Sequence, residues 1–362
     1  MQQFNGLTGV QFSQVEETGR LLAPEAVVAS AGLRYVSSDD AGIHRKKHGT
    51  GFSYTDSAGK VIHDKRVLWR IRCLAIPPAW TDVWICPNAN GHIQATGFDA
   101  RGRKQYRYNA EFRALRESAK FEHILLFAAA LPKIRERVSH DMAKHGLPRE
   151  KVLATIVHLL ETTLVRVGNK DYAKDNHSYG LTTLHDPHVD VKGTALRFHF
   201  KGKSGKTWNL KIRDRRVATI VRALQELPGQ QLFQYLDADG ANQMVTSSDV
   251  NDYLREISGR DVTAKDFRTW AGTVMAATAL NELDTPTSQA GGKRAVKAVI
   301  AQAAEKLGNT VAVCRKCYVH PTVVEAFLAG ELKLHIRKSN DGAGKLSPGE
   351  AAVHRFLIGR LS

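Results

Sequence analysis

The chain has 362 residues, enough for about two domains, and its 43% hydrophobic and 24% charged residues exclude a disordered or fibrous chain. Lys and Arg outnumber Asp and Glu by 52 to 36, a formal charge of +16; such a field draws polyanions, of which duplex DNA is the densest at about one charge per 1.7 Å, with RNA or anionic lipid as the alternatives. Four cysteines are too few for a disulfide framework, residues 1–20 lack the pattern of a signal peptide, and the longest apolar run, 124–131, is far short of the roughly 20 residues of a membrane helix, so a soluble cytoplasmic protein is expected.

In chain order, residues 1–29 read as a weakly structured leader. Residues 30–109 read as a small β-rich domain, with strands expected at 35–36, 51–54, 60–62, 83–86 and 92–98 and turn clusters at 56–59 and 88–91. Between them 67–76 reads as one helix, stopped by Pro77 and Pro78. Asn109 reads as an N-cap, and from 110 to 362 the pattern is mainly helical. Val152, Leu153, Ile156, Leu159, Leu160 and Leu164 share one helical face, and strands at 180–184, 196–200 and 207–212 follow. Val296, Val299, Ile300, Ala303, Ala304 and Leu307 form a later stripe closed by Gly308. Residues 338–345 read as a loop, and Ser347 to Glu350 as the cap of a last short helix. The expected fold class is α+β: a β-rich N-terminal domain and a larger, mostly helical domain containing a short antiparallel sheet.

Several stretches carry candidate chemistry. Arg101, Arg103, Lys104, Gln105, Tyr106, Arg107 and Tyr108 interleave cations for phosphates with a glutamine able to read a base edge and tyrosines suited to bases or sugars. His185, His188 and Asp190 lie in a strand–turn–strand context that suits turn roles better than metal ligation. Residues 198–212 contain GKS and GKT back to back, but no glycine stands five residues before either lysine-bearing GK, and an alternating strand follows instead of a helix. A β-hairpin that carries Lys201, Lys203 and Lys206 at its tip fits better than a nucleotide cradle. Thr263 caps a helix on which Lys265 and Arg268, three residues apart, are neighbours on the surface, two adjacent cations that repel each other unless an anion sits over them. Cys314 and Cys317 lack further ligands at zinc spacing and read as packing residues in a short helix that ends at Tyr318, beside Arg315 and Lys316.

Taken in order, these pieces resemble the type IB DNA topoisomerases of the compact, poxvirus-like kind found in bacteria. The resemblance rests on Arg166 in LVRVGNKDY, Lys203 in FKGKSGK, Lys265 and Arg268 in AKDFRTWAGT, and Tyr318 in VCRKCYVHP. Nine residues before Tyr318, where the poxviral enzymes carry histidine, this chain has Asn309, an amide that can still donate to a phosphate oxygen. The resemblance implies the catalytic fold shared by these enzymes and the tyrosine recombinases, and the segment 101–108 as a DNA contact. It implies double-stranded DNA as partner, a monomer clamping the duplex on the nucleoid, and no cofactor, neither ATP nor metal. By resemblance Tyr318 is the nucleophile, Arg166 and Arg268 hold the phosphate, Lys265 adds a contact, and Lys203 protonates the leaving oxygen. A tyrosine site-specific recombinase is one alternative, although that family usually carries His-x-x-Arg where this chain has Lys265 and Arg268. The other is a non-catalytic DNA-binding protein with the same fold.

Overall fold

The computed structural model describes residues 31–49, 51–237, 239–336 and 345–361, together with Glu25, Val28 and Ala29. Residues 1–24 of the expected leader, and most of the expected loop at 338–345, lie outside the described residues. The chain packs as two compact units, residues 1–122 and 123–362.

In the first unit, β1 (Ile43–His48), β2 (Gly51–Thr55), β3 (Thr81–Ile85), β4 (Ile93–Phe98) and β5 (Lys104–Tyr108) form one antiparallel sheet in the order β2-β1-β3-β4-β5. Helix α1 (Lys65–Cys73) lies between β2 and β3 in sequence; Asp64 caps it by accepting from the backbone N–H groups of Arg66 and Val67. Its Val67 and Ile71, with Leu74, pack on Ile43, Val83, Ile85 and Ala95 of the sheet. The helix ends at Cys73 rather than 76: Leu74 is its cap, Ala75 turns left-handed at φ 46°, and only Ile76 is the residue that Pro77 drives out of the helical region. The segments 35–36 and 60–62 are not strands; each leaves only an isolated bridge nearby, Arg34 with Gly91 and Val61 with Thr55. The inner strand β1 was hidden by its composition, because all five residues after Ile43 in IHRKKH are cationic or histidine.

Asn109 caps helix α2 (Ala110–Met142): its side-chain oxygen accepts from Glu111 N at 2.8 Å and its carbonyl from Arg113 N at 3.0 Å. The second unit begins within α2, at His123. There α3 (Arg149–Thr163) and α4 (Lys170–Asn176) precede an antiparallel sheet of β6 (Val189–Lys192), β7 (Ala195–Lys201) and β8 (Thr207–Arg213). Helix α5 (Arg215–Gln225), the pair β9 (Gln234–Leu236) and β10 (Asn242–Met244), and α6 (Ser247–Ser258) follow. Next come α7 (Ala264–Asn281), α8 (Gln289–Leu307), α9 (Val311–Tyr318), α10 (Pro321–Leu328) and α11 (Pro348–Leu361). Helix α7 is buried on more than one face and contacts α3, α6 and each of the four helices that follow it. Its run of small residues, Ala271, Gly272, Thr273, Ala276 and Ala277, permits that density of neighbours. The fold is therefore α+β, a β-rich N-terminal unit and a mostly helical body with a short antiparallel sheet.

The segment 180–184 is a 3-10 turn at Leu181–Thr183 instead of a strand. Its backbone pairs with the stretch after α3: Leu181 N donates to Arg166 O at 3.0 Å and Thr182 N to Val167 O at 2.7 Å. This pairing fixes the backbone that carries Arg166.

One buried charge anchors α2. Asp141 is 0% exposed and accepts from Tyr253 Oη at 2.9 Å, Arg137 Nε at 2.9 Å and Lys144 Nζ at 3.1 Å. Burial alone would raise its pKa, but these hydrogen bonds and charges outweigh that and hold the carboxyl below the usual range. A depressed pKa contributes stability above the unfolded-state value near about 3.9, which is lost as pH falls through the folded-state value. Asp141→Asn should therefore lower unfolding stability by about 3 kcal/mol at pH 7, with the gap to wild type narrowing below about pH 4. Urea unfolding at both pH values checks this; equal stability at pH 7 would contradict it.

Candidate active site

Helix α3 ends in a left-handed residue, Leu164, with φ 57°. The chain then leaves the helix through buried Val165 and presents the half-buried Arg166. Arg166 Nη2 donates to Asn309 Oδ1, from a segment 143 residues further along the chain.

Helix α7 supplies the second guanidinium. Thr263 and Asp266 form a capping box at its start, and Asp266 Oδ2 accepts from Thr263 N at 2.8 Å and from its hydroxyl at 2.9 Å. Lys265, in the first turn, is exposed. Arg268, three residues on, is only 3% exposed. Its Nη1 donates to the Leu164 carbonyl and its Nη2 to the Leu307 carbonyl at 2.5 Å. One side chain thus joins the end of α3 to the end of α8, the two places from which Arg166 and Asn309 project. Among the described residues no carboxylate pairs with Arg268 or Arg166. Burial lowers the Arg268 pKa from its ordinary value and the neighbouring Arg166 lowers it further, while the Tyr318 phenol opposes both through charge and a hydrogen bond. A buried cation without an acid is costly, and a bound anion would relieve that cost.

Asn309 follows the C-cap of α8, where Gly308 adopts φ 61° and Asn309 N donates to Ala304 O at 2.8 Å. Because Arg166 is a pure donor, it selects the amide oxygen and leaves Asn309 Nδ2 turned the other way. That nitrogen is buried with no hydrogen-bond partner, as is Arg268 Nε. Two unspent donors therefore flank the cationic cluster.

Tyr318 is the last residue of α9, half-buried, with the Arg268 guanidinium carbon 5.2 Å from its ring centroid. Thr273 Oγ1 donates to the Tyr318 carbonyl at 3.3 Å and accepts from His320 N at 3.1 Å. Gly272 completes the seat: a Cβ there would stand 2.6 Å from the Tyr318 carbonyl oxygen and 3.0 Å from its Cβ. Neither Gly272 nor Thr273 was singled out by the sequence reading, although both lie one turn beyond Arg268 on the same helix. Cys314, fully buried, packs one turn before Tyr318, and burial pushes its thiol up to about 11; Cys317 is half-buried, and neither cysteine is in a disulfide. His188 Nδ1 accepts from His185 N at 3.0 Å, a turn role.

Lys203 lies at the tip of the β7–β8 hairpin, in the 3-10 turn Lys203–Gly205, and is exposed. Lys265 and Lys203 are the members of the expected set whose side chains stand at the surface, whereas Arg166, Arg268, Asn309 and Tyr318 are brought together.

In the first unit, the segment 101–108 divides between two faces. Gln105 Nε2 donates to Asp99 Oδ2 at 2.9 Å, and Arg107 Nη2 to Ala75 O at 2.7 Å. On the other face Lys104 Nζ donates to Ser38 Oγ at 2.8 Å and the Tyr106 and Tyr108 rings stack at 5.9 Å. Period-two alternation along β5 requires this division. Arg101 and Arg103 sit in the preceding turn, where Asp99 accepts from both backbone N–H groups and from the Arg103 guanidinium. Those contacts, the Arg103 side chain first, hold the Asp99 carboxyl down to about 2. Asp99 was not anticipated from the sequence.

The family profile described as eukaryotic DNA topoisomerase I, catalytic core, matches residues 109–339. That of the bacterial DNA topoisomerase IB N-terminal domain matches residues 51–99. The chain is 33% identical to DNA topoisomerase 1B of Acanthamoeba polyphaga mimivirus over 293 residues, 79% of this chain and 87% of that protein. It is 24% identical to DNA topoisomerase 1 of rabbit fibroma virus (strain Kasza), covering 76% of this chain and 88% of the relative. It is 20% identical to DNA topoisomerase 1B of vaccinia virus (strain Copenhagen), covering 77% and 88%.

The seat of Tyr318 is open to test by overpacking. Gly272→Ala should cost about 1–3 kcal/mol in urea unfolding, because backbone of α9 must move to admit the methyl group. An unchanged midpoint would contradict the contact.

Proposed function

This chain belongs to the type IB DNA topoisomerase family and is a DNA topoisomerase, and from that premise we propose that it relaxes supercoils by transient cleavage of one strand through a 3′-phosphotyrosyl link. The observation that carries the reading is the cluster of Arg166, Arg268, Asn309 and Tyr318, with two guanidiniums, unspent donors and, among the described residues, no carboxylate paired with either guanidinium.

A backbone phosphodiester is the anion such a cluster fits. Arg166 and Arg268 contact its non-bridging oxygens and stabilise the charge that grows on them in the transition state. Asn309 Nδ2 donates to the same oxygens, its direction set by Arg166. Lys265 adds a contact from the exposed first turn of α7. The Tyr318 oxygen attacks phosphorus: the O–P bond forms, the phenol proton leaves to solvent, and the bond from phosphorus to the 5′ oxygen breaks. An alkoxide is a poor leaving group, so Lys203 gives that oxygen a proton as it departs. The free 5′-hydroxyl end swivels, and the reverse attack restores the phosphodiester. The phosphotyrosine conserves the energy of the broken bond, so the cycle needs neither ATP nor a metal ion.

The enzyme acts as a monomer whose two units clamp the duplex, with residues 101–108 of the first unit contacting DNA. A chromosomal substrate places it in the cytoplasm, on the nucleoid. No helix among the described residues is long and apolar enough to cross a membrane.

Incubation with supercoiled plasmid in EDTA without ATP tests the reading. Wild type should relax the plasmid and yield a detergent-trapped covalent adduct. Tyr318→Phe should yield none, and Arg268→Ala should lose at least about 100-fold in cleavage rate, the cost of a removed transition-state donor. Adduct formation by Tyr318→Phe, or recombinant products in place of relaxed circles, would refute it.

A further inference from the structure

The hairpin that carries Lys203 does not stand free of the rest of the site. Near its tip Lys201 pairs with Thr207 and Phe200 with Trp208, and Gly202 N donates to Lys206 O at 2.8 Å. Trp208 is one rung from a solvent-facing turn, yet it is only 7% exposed. The indole is wedged between two glycines. A Cβ at Gly202 would lie 2.6 Å from Trp208 Nε1, and a Cβ at Gly308 would lie 2.7 Å from its Cζ2. Phe200 stacks on the same ring, centroid to centroid 6.3 Å. A second anchor lies beside it, where Lys206 Nζ donates to Glu305 O at 3.4 Å in the last turn of α8.

The location of the second glycine gives the wedge its meaning. Gly308 is the left-handed cap of α8, and the next residue is Asn309, whose amide is bound to Arg166. The indole therefore rests against the same corner that aims the Asn309 amide. Two adjoining residues of the tip, Gly202 and Lys206, flank the turn Lys203–Gly205, and both are tied to this arrangement. A large rigid aromatic that spans from hairpin to helix cap fixes position better than a flexible side chain of similar area.

We propose that Trp208 is a positioning residue that docks the hairpin on the α8–α9 corner, so that the Lys203 ammonium arrives in register with the Arg166–Asn309 pair. It touches no reacting atom; it acts through Lys203. The inference rests on the reading of Lys203 as the proton donor to the 5′ oxygen, and deepens it. The base of the turn is docked on both sides of Lys203, through Gly202 and Lys206.

The test uses the full-length protein and two duplexes that share a cleavage site mapped beforehand on plasmid DNA. One carries the ordinary phosphodiester and the other a bridging 5′ sulfur at that phosphate. A thiolate, with a conjugate-acid pKa near about 8.5 for a thiol, departs without a proton. A defect in delivering the acid is therefore erased on the sulfur duplex, whereas a defect in folding, binding or nucleophile placement persists. The variants are Trp208→Phe, which shortens the wedge, Gly202→Ala, which pushes the indole without removing it, and Lys203→Ala as reference. Single-turnover cleavage by the two wedge variants should fall about 10- to 100-fold on the ordinary duplex, within the span of general-acid contributions, and return to within about threefold of wild type on the sulfur duplex. Lys203→Ala should behave the same way. If Lys203→Ala is restored by sulfur while the wedge variants stay equally slow on both duplexes, Trp208 is structural and the inference fails alone. Wild-type rates for the wedge variants on the ordinary duplex overturn it too. If Lys203→Ala is itself not restored, the proton-donor reading fails and the inference falls with it.

Discussion

The site depends on one buried guanidinium. Arg268, on a helix that is buried on more than one face, is bound to the carbonyls of Leu164 and Leu307. Those carbonyls are the last features of two helices that otherwise have no reason to end at the same point. By holding both, Arg268 brings Arg166 and Asn309 together and leaves its own charge uncompensated by any carboxylate among the described residues. A folded protein tolerates such a group only where it is hydrogen-bonded, and the two carbonyls provide that. What remains is a net positive cluster of side chains beside a tyrosine. In the proposed reading this requirement, more than the overall charge of +16, is what suits the cluster to a phosphate.

The surrounding architecture serves the same constraint. Helix α7 carries small residues where α9 crosses it, and Gly272 and Thr273 seat the backbone of Tyr318 while Arg268 faces its ring. The 3-10 turn at Leu181–Thr183 fixes the chain on the far side of Arg166. The hairpin is docked on the cap of α8 through Trp208. Each contact links segments distant in sequence, so the cluster forms only when the second unit is folded.

Much of this was legible in the sequence because it is local. The Thr263 cap, the spacing of Lys265 and Arg268, the alternation on either side of the GKS–GKT turn and the glycine after Leu307 follow from short-range rules, and the elements appear where those rules put them. The strand expected at 180–184 failed because Leu181 and Thr182 spend their N–H groups on Arg166 and Val167, a partner no local pattern announces. β1 escaped notice because cations and histidines occupy both of its faces beyond Ile43, which leaves no apolar alternation to read. The division of residues 101–108 between two faces was implicit in the strand period, but the role of Asp99 in holding Arg103 and Gln105 required the turn geometry. Trp208 was unreadable for the simplest reason: its second glycine is a hundred residues away.

The most direct measurement of the central claim is the identity of the atom joined to DNA. Trapped adduct would be digested with protease and nuclease and the modified peptide sequenced by mass spectrometry. The account predicts nucleotide mass on Tyr318, attached through a 3′ phosphate, with a free hydroxyl on the 5′ side of the break. Attachment to any other residue, or through a 5′ phosphate, would contradict it.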